Sequence, residues 1–296
     1  MKSGFVSLIG RPNAGKSTLL NRLIGTKVAI VSDKPQTTRT RILGVRNVPG
    51  GQGVFVDTPG IHKPTHRMNA RMVDAAVSTL REVDALVLVV DATQPPRGGD
   101  RYVLGLLGRA EGPVVLALNK VDLVAKPTLL PLIDWYRQQR GFAAIVPISA
   151  LTGDGVDRLA DVLLEQLPEG EALYPEDYLT DQPERVIVAE TVREKLLRHT
   201  HDELPYTTAV FIERFEEPDA KGLMRLYCTI LVESDSQKAI VIGKGGALVK
   251  RVGTEAREDL ETFFGTRVFL DLHVKVRTDW REDERVLDEL GLGRKP

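Results

Sequence analysis

The chain has 296 residues, enough for two ordinary domains, and 42% of them are hydrophobic, as is typical of a globular protein with buried cores. Its formal net charge of −1 excludes a global field that would draw the whole molecule to nucleic acid or to an anionic membrane. A single cysteine, Cys228, excludes an internal disulfide and a zinc cluster built from several cysteines, which favours a reducing compartment.

The first predicted strand, Val6–Ile9, runs into the glycine-rich stretch Gly10–Ser17, and a predicted helix follows over Lys16–Ile24. This strand, loop and helix form a phosphate-binding signature: backbone amides cradle phosphates, Lys16 adds charge and catalytic assistance, and the Ser17 hydroxyl ligates magnesium. The dipole at the start of the helix favours the same anion. We expect the loop and the first helical turn to contact the nucleotide, through Gly10, Arg11, Pro12, Asn13, Ala14, Gly15, Lys16, Ser17 and Thr18.

The polar stretch 33–41 has neither helical nor strand periodicity and lies where a nucleotide-sensing loop would be expected. We assign Thr38 as the hydroxyl that joins magnesium and senses the γ-phosphate, with Thr37 as the alternative. An ordinary hydroxyl-rich surface loop is the competing interpretation.

Short β-branched runs then alternate with helical stretches up to about Gln166, which predicts a mostly parallel, doubly wound α/β sheet. A turn-rich stretch between Ile42–Arg46 and Val54–Val56 predicts a hairpin and hence one antiparallel edge strand. The remaining predicted strands are Ala85–Val90, Val114–Leu118 and Ala144–Ile148.

Asp57, Thr58, Pro59 and Gly60 follow one of these strands, where ligands of such sheets bind. Asp57 can hold magnesium and the Gly60 amide can contact the terminal phosphate, which makes Gly60 a catalytic candidate. A helix cap followed by a proline turn would explain the same four residues without a ligand.

Asn119, Lys120 and Asp122 follow the predicted strand Val114–Leu118 and predict which base is bound. The Asp122 carboxylate can accept hydrogen bonds from N1–H and the 2-amino group of guanine, whereas adenine offers neither donor. The Lys120 stem can lie along the purine and Asn119 can brace the loop. The stretch Ser149, Ala150 and Leu151, after the last strand, can add a backbone amide to the guanine carbonyl oxygen.

Together these five segments resemble the translation-factor class of GTPases, and the resemblance implies hydrolysis of GTP to GDP and phosphate. Many relatives place a water-orienting glutamine after Asp-x-x-Gly, but this chain has Ile61. Asn13 suggests another route to hydrolysis. Potassium-dependent relatives use an amide oxygen at this position to hold a K⁺ ion against the phosphates, where the ion takes the place of an arginine finger. Alternatively, Asn13 merely tolerates the backbone geometry of the loop. Arg39 and Arg41 are candidates for an arginine finger.

We assign residues 1–167 to the GTPase domain, 168–183 to a linker rich in proline, and 184–296 to a second, α+β domain. The second domain is predicted to run helix, strand, strand, helix, helix, strand, with a terminal helix over Arg281–Leu290. Its two central helices flank a Gly-x-x-Gly turn, Gly243–Gly246, which is typical of RNA-binding KH modules. The candidate RNA-binding residues are Lys238, Ile242, Gly243, Lys244, Gly245, Gly246, Lys250 and Arg251.

The charge of the second domain argues against this interpretation, because residues 181–296 hold 19 basic and 23 acidic residues. The stretch 236–254 nevertheless has four basic residues and no acidic one. The alternative is a protein-docking module that uses the acidic stretch Asp279–Glu289.

The whole chain, through these motifs, resembles a family of bacterial GTPases that end in a type II KH domain and act in ribosome assembly. The resemblance implies GTP or GDP and Mg²⁺ as ligands, binding to the 3′ end of small-subunit ribosomal RNA, maturation of the 30S subunit, and peripheral contact with the inner membrane. We expect a monomer that does not bind DNA. Because Met1–Ser3 leads directly into the first strand, we expect no signal peptide and a cytoplasmic location. The alternative function is a GTP-dependent scaffold with weak hydrolysis that docks a protein or another RNA.

Overall fold

The computed structural model describes residues 1–34, 36–62, 64 and 66–292. It divides the chain into two compact units, Met1–Asp181 and Gln182–Pro296. The boundary therefore falls at the end of the predicted linker, and residues 168–181 belong to the first unit.

The first unit is built on a six-stranded sheet with the order β2-β3-β1-β4-β5-β6. The strand β2 pairs antiparallel with β3 and all other pairs are parallel, as the sequence predicts. The strands are β1 (Lys2–Gly10), β2 (Ile42–Val48), β3 (Gly51–Asp57), β4 (Ala85–Asp91), β5 (Val114–Asn119) and β6 (Ala144–Pro147).

Helices cover both faces of this sheet, so the central strands are buried on two sides and consist of nearly continuous apolar runs. One buried cluster joins the sheet to α1 and α5, and a second joins the opposite face to α2, α3 and α4. The helices are α1 (Lys16–Ile24), α2 (Arg67–Ser78), α3 (Gly98–Leu107), α4 (Leu129–Gln139) and α5 (Val156–Gln166).

The hairpin between β2 and β3 is tighter than predicted. Most of the turn-rich stretch is strand, because Asn47 pairs with Gln52 and their side chains share a 2.8 Å hydrogen bond. The turn is confined to Pro49 and Gly50, and Gly50 takes the left-handed conformation (φ 84°) that such a turn requires.

The predicted linker packs along the exposed edge of β2. The Val45 amide donates to the Leu179 carbonyl at 2.9 Å, and the Thr180 hydroxyl donates to the Leu43 carbonyl at 2.6 Å. Tyr174 and Tyr178 stack with ring centroids 4.8 Å apart. The segment thereby covers an edge strand that would otherwise present unpaired backbone groups.

The second unit has the order α6, α7, β7, β8, α8, α9, β9, α10, with a three-stranded sheet β7-β8-β9. The strand β8 is antiparallel to β7 and parallel to β9. Its elements are α6 (Glu184–His199), α7 (Leu204–Thr207), β7 (Ala209–Glu216), β8 (Leu223–Val232), α8 (Asp235–Ile242), α9 (Ala247–Phe264), β9 (Arg267–Val276) and α10 (Glu284–Leu287).

The predicted terminal helix is interrupted. A 3₁₀ turn over Trp280–Glu282 precedes α10, and the Asp283 carboxylate caps α10 by accepting from the Arg285 amide at 3.0 Å. The Trp280 indole is buried and donates to the Thr207 carbonyl at 2.8 Å. Because this aromatic side chain is anchored in the core, the segment that contains the proposed acidic docking face is part of the folded unit.

Cys228 lies on β8 with its side chain in the core of the second unit, where burial raises the pKa of the thiol to about 12. In the part of the chain that the structure describes, no helix is both long enough and apolar enough to cross a lipid bilayer.

Candidate nucleotide site and candidate RNA interface

The glycine-rich loop between β1 and α1 forms a narrow cradle. A Cβ atom added to Gly15 would lie 2.2 Å from Nδ2 of Asn119, and one added to Gly10 would lie 2.4 Å from the Val89 carbonyl oxygen. Gly15 also has a left-handed backbone (φ 94°), which disfavours a side chain. Glycine is therefore needed at both positions for the loop to pack closely against Val89 and Asn119.

Lys16 is buried beneath this loop. Its Nζ donates to the carbonyl oxygens of Arg11, at 3.0 Å, and Gly10, at 3.3 Å. Burial lowers the pKa of Lys16, and the negative charge of Asp57 opposes that shift. A buried ammonium with only neutral carbonyl acceptors favours a bound anion, which a phosphate chain supplies.

Three oxygen-bearing side chains converge beside Lys16. The Ser17 hydroxyl donates to Oδ2 of Asp57 at 2.6 Å and lies 2.6 Å from the Thr38 hydroxyl, which is itself 3.1 Å from the same carboxylate oxygen. The Thr37 hydroxyl instead donates to the Lys34 carbonyl at 2.6 Å. The structure thus places Thr38, and not its alternative, with the other predicted magnesium ligands.

The Asp57 carboxylate fits a divalent cation. Burial raises its pKa, while Lys16 and the two hydroxyls act in the opposite direction. Its Oδ1 atom is buried and has no hydrogen-bond partner among the described residues. Two hydroxyls and one carboxylate are the hard oxygen donors that Mg²⁺ prefers alongside phosphate oxygens.

Asn119 connects the base-recognition loop to the phosphate loop. Its Nδ2 donates to the Ala14 carbonyl at 2.8 Å, and its Oδ1 accepts from the Ala150 amide at 2.9 Å. The predicted bracing role agrees with this geometry. The Ala150 amide, however, donates to Asn119, so it is not free to donate to the guanine carbonyl oxygen as predicted.

The Lys120 side chain is fixed by an ion pair, since its Nζ lies 2.6 Å from Oδ2 of Asp91. Asp122 is exposed, in a 3₁₀ turn that directly follows Lys120. Its carboxylate is thus accessible to a ligand, while Asn119 and Lys120 hold the part of the loop that precedes it.

Several predicted contact residues have other roles in this structure. The Arg11 guanidinium donates to Asp100 at 2.9 Å, so its side chain faces α3. The Thr58 hydroxyl donates to the Leu8 carbonyl at 2.8 Å and anchors the loop after β3. Pro59 is buried, and a Cβ on Gly60 would lie 2.7 Å from the Pro12 backbone. The candidate finger Arg41 pairs with Glu82 at 2.9 Å.

A cleft of about 320 Å³ collects most of the remaining candidates, including Thr18. Part of its wall comes from the loop after α1, where sequence reasoning assigned no role to Ile30, Val31 or Ser32 and included Asp33 and Gln36 only as members of the polar stretch 33–41. Only the polar composition of this loop pointed to a site there.

The Gly-x-x-Gly turn of the second unit is open to solvent. Gly243, Gly245 and Gly246 all have left-handed φ angles, and added Cβ atoms on Gly245 and Gly246 would meet nothing within 4 Å. Lys244, Lys250 and Arg251 are exposed and Lys238 is half-buried. Among the described residues, none of these four cations has a salt-bridge partner, whereas Arg225 and Lys275 on the sheet of this unit are paired with carboxylates.

Ile242 ends α8 half-buried beside this turn, and Ile240 is 52% exposed. An aliphatic surface next to unpaired cations and a backbone without Cβ atoms suits a single-stranded RNA, whose phosphates and bases need these two kinds of contact. The second unit therefore carries a candidate RNA interface.

Known proteins resemble the chain along its length. A model of a family described as 50S ribosome-binding GTPase matches residues 5–120, and a KH domain model matches residues 203–281. The chain is 53% identical over 290 residues to GTPase Era of Geobacter metallireducens, covering 98% of this chain and 97% of that protein. It is 49% identical over 295 residues to GTPase Era of Heliobacterium modesticaldum, covering 100% and 98%.

Two crystal structures are similar to this one, each with a TM-score of 0.96, 41% identity, and coverage of 99% of this chain and 100% of the other. One is an Aquifex aeolicus Era variant bound to GDP and aluminium tetrafluoride. The other is Era in complex with MgGDPNP and nucleotides 1506–1542 of 16S ribosomal RNA. These matches confirm the predicted fold class of a P-loop GTPase unit followed by a KH domain.

Proposed function

The chain belongs to the Era family of GTPases, and from this membership we propose that it is a switch whose KH unit binds the 3′ end of small-subunit ribosomal RNA and assists maturation of the 30S subunit. The chain is a GTP hydrolase. The observation that carries the switch is the contact of Thr38, from a loop, with Ser17 and Asp57 of the phosphate site.

The phosphate loop holds the substrate through its backbone amides, and Lys16 places its positive charge at the terminal phosphates. Bound Mg²⁺, for which Ser17, Thr38 and Asp57 are the proposed ligands, neutralises charge on the phosphates. Asp122 selects guanine, and Asn119 holds the loop that carries Asp122 against the phosphate loop through its hydrogen bond to Ala14. The related structures contain MgGDPNP and GDP with aluminium tetrafluoride, which supports these ligands for this chain.

The RNA role is supported by the second unit. Its unpaired Lys244, Lys250 and Arg251 surround an open glycine turn, and a related structure contains a 16S ribosomal RNA segment. Contact with the inner face of the cell membrane remains a prediction from the family resemblance alone, and a location in the cytoplasm remains a prediction from the sequence.

We expect the nucleotide state to control RNA affinity, because the γ-phosphate orders the loop that carries Thr38. An RNA of 16S nucleotides 1506–1542 is expected to bind the GDPNP form at least about tenfold more tightly than the GDP form, a coupling of about 1.4 kcal/mol. Fluorescence anisotropy at one fixed salt concentration measures both affinities. Equal affinities in the two nucleotide states would contradict the switch and favour a constitutive RNA binder.

Potassium is the proposed substitute for an arginine finger. Nδ2 of Asn13 donates to the Asp33 carbonyl at 2.6 Å, which leaves Oδ1 as the acceptor, and no hydrogen bond engages Oδ1 within the described residues. The left-handed φ of 62° at Asn13 also agrees with the simpler backbone role. The two interpretations differ in their consequences for hydrolysis.

Replacing Na⁺ by K⁺ is expected to accelerate hydrolysis about tenfold in the original chain, because a cation against the phosphates stabilises the developing negative charge. Asn13→Ala should remove the difference between the two ions, whereas Asn13→Asp, which keeps an oxygen at this position, should retain part of it. Steady-state phosphate release at constant ionic strength is the measurement. Equal rates in Na⁺ and K⁺ for the original chain would leave Asn13 with the backbone role alone.

A second candidate function is a GTP-dependent scaffold with weak hydrolysis, which docks a protein or another RNA. Ile61, buried to 1% exposure in the core of the first unit, favours it because the usual water-orienting side chain is absent from this position. Phosphate release measured with and without small ribosomal subunits separates the candidates: a scaffold stays slow in both conditions.

A further inference from the structure

Hydrolysis requires a group that orients the attacking water, and the position after Asp-x-x-Gly cannot supply it. Ile61 lies in the core, and its amide donates to the Gly10 carbonyl at 3.1 Å. Neither its side chain nor its backbone N–H is therefore available to a water molecule. Another group of the cleft has to take this role if catalysis follows the usual in-line attack.

Gln36 has the required chemistry and position. It lines the nucleotide cleft together with Thr38 and Gly60, the residues proposed for the γ-phosphate. Its Oε1 atom is buried, and among the residues that the structure describes no group donates to it. A buried amide oxygen without a donor costs free energy, and a water molecule in the cleft would satisfy it.

His62 determines which end of the Gln36 amide faces this cleft. Nδ1 of His62 lies 2.8 Å from the Gly60 carbonyl oxygen, which can only accept, so Nδ1 carries a proton; in the tautomer that has its single proton there, Nε2 is an acceptor. Nε2 lies 3.5 Å from Nε2 of Gln36. The amide nitrogen of Gln36 is thus directed at His62, and Oε1 remains for a water.

The backbone at Gln36 is strained in a way that functional sites often are. Its φ of 61° is in the left-handed region, which glutamine rarely adopts. Asn13 and Lys120, two other non-glycine residues with positive φ, line the same cleft. Such strain persists only where surrounding contacts impose it.

We propose that Gln36 is the catalytic residue that orients the attacking water, supplied by the loop after α1 in place of a glutamine after Asp-x-x-Gly. Oε1 accepts a hydrogen bond from the water, whose oxygen bonds to the γ-phosphorus. The bond from that phosphorus to the β–γ bridging oxygen breaks, and its electron pair leaves on GDP. The protons of the water end on the inorganic phosphate or in solvent, so Gln36 positions the water without being consumed. His62 is a positioning residue for Gln36.

This proposal rests on the proposed hydrolysis of GTP, so the original chain is assayed in parallel with each variant. Gln36→Ala and Gln36→Leu are expected to slow single-turnover hydrolysis at saturating GTP by about 10- to 100-fold. Affinity for GDPNP should change less than about twofold, because the water contact matters mainly in the transition state. Trapping of GDP with aluminium fluoride should weaken in parallel with the hydrolysis rate. Leucine retains apolar bulk, so a loss shared by both variants points to the amide and not to packing.

Gln138→Ala, an exposed position on α4, is the matched control and should leave hydrolysis unchanged. His62→Leu should slow hydrolysis. His62→Gln, which keeps an acceptor for the Gln36 amide, should hydrolyse GTP at most of the rate of the unmodified chain. If the original chain hydrolyses GTP and both Gln36 variants match it, the role of Gln36 is overturned while the proposed function stands. Parallel losses of hydrolysis and GDPNP affinity would also overturn it. Absence of hydrolysis in the unmodified chain would instead contradict the proposed function.

Discussion

Asp122→Asn is expected to weaken GDP binding by about 100- to 1,000-fold. The carboxylate can accept from both N1–H and the 2-amino group of guanine, whereas asparagine replaces one acceptor with an N–H₂ donor. The loss of a charge-assisted hydrogen bond and the new contact between two donors together cost about 3 to 4 kcal/mol. Asp122 is exposed and flanked by the fixed side chain of Lys120, so the substitution should not alter the fold.

The same variant should gain affinity for xanthosine diphosphate, because xanthine carries a carbonyl oxygen where guanine carries its 2-amino group. Isothermal titration calorimetry with both diphosphates measures the exchange of specificity. Asp154→Asn, an exposed carboxylate in the loop after β6, makes the same change of charge and should leave both affinities unaltered. Unchanged GDP affinity in Asp122→Asn would mean that the base lies elsewhere.

The double variant Lys244→Asp with Gly245→Asp is expected to weaken RNA binding by at least about 100-fold and to leave GDP binding unchanged. It replaces the Lys244 cation by an anion and adds a second carboxylate at Gly245. There is room for this side chain, because a Cβ atom added to Gly245 meets nothing within 4 Å. RNA phosphates approaching this turn would then be repelled. Aspartate tolerates the left-handed φ of 59° at Gly245 better than most residues, so the turn should keep its shape.

The pair Lys221 and Gly222 provides a matched control in the same unit. It is also a lysine followed by a glycine with positive φ (66°), in the turn between β7 and β8. Lys221→Asp with Gly222→Asp changes the net charge equally. Electrophoretic mobility shift with the 16S segment at several salt concentrations should show a large loss only for the first pair. Equal losses would indicate a general charge effect, and retained affinity in the first pair would favour a protein-docking module.

Local patterns predicted most of the elements because the periodicity of apolar residues and the positions of glycine are local properties of the chain. The strands β4, β5 and β6 extend over nearly the predicted residues, whereas β1 begins four residues before the predicted Val6. The departures occur where distant groups compete with local preference. Trp280 anchors the end of the chain to the Thr207 carbonyl, and the Asn47 and Gln52 pair extends β2 and β3 into a predicted turn.

The candidate site divides in the same way. Gly15, Lys16, Ser17, Asp57, Asn119 and Asp122 could be identified from the sequence, because the chemistry of each motif depends on residue type at short spacing. The choice of Thr38 over Thr37 depends on which hydroxyl reaches Asp57, and that is decided by the path of a loop. The Arg11 side chain faces α3 because its hydrogen-bond partner, Asp100, lies there, 89 positions away in the sequence. A short motif cannot show such a partner.

By itself the sequence determined that a guanine nucleotide is bound on a doubly wound sheet and that an open Gly-x-x-Gly turn follows in a second unit, since these features are encoded in contiguous residues. Only the tertiary structure decided that Ile61 is buried in the core while the Gln36 amide faces the cleft beside Gly60. The reason is that hydrogen-bond satisfaction and burial arise between segments brought together by folding, and no short pattern along the chain records which of their side chains meet.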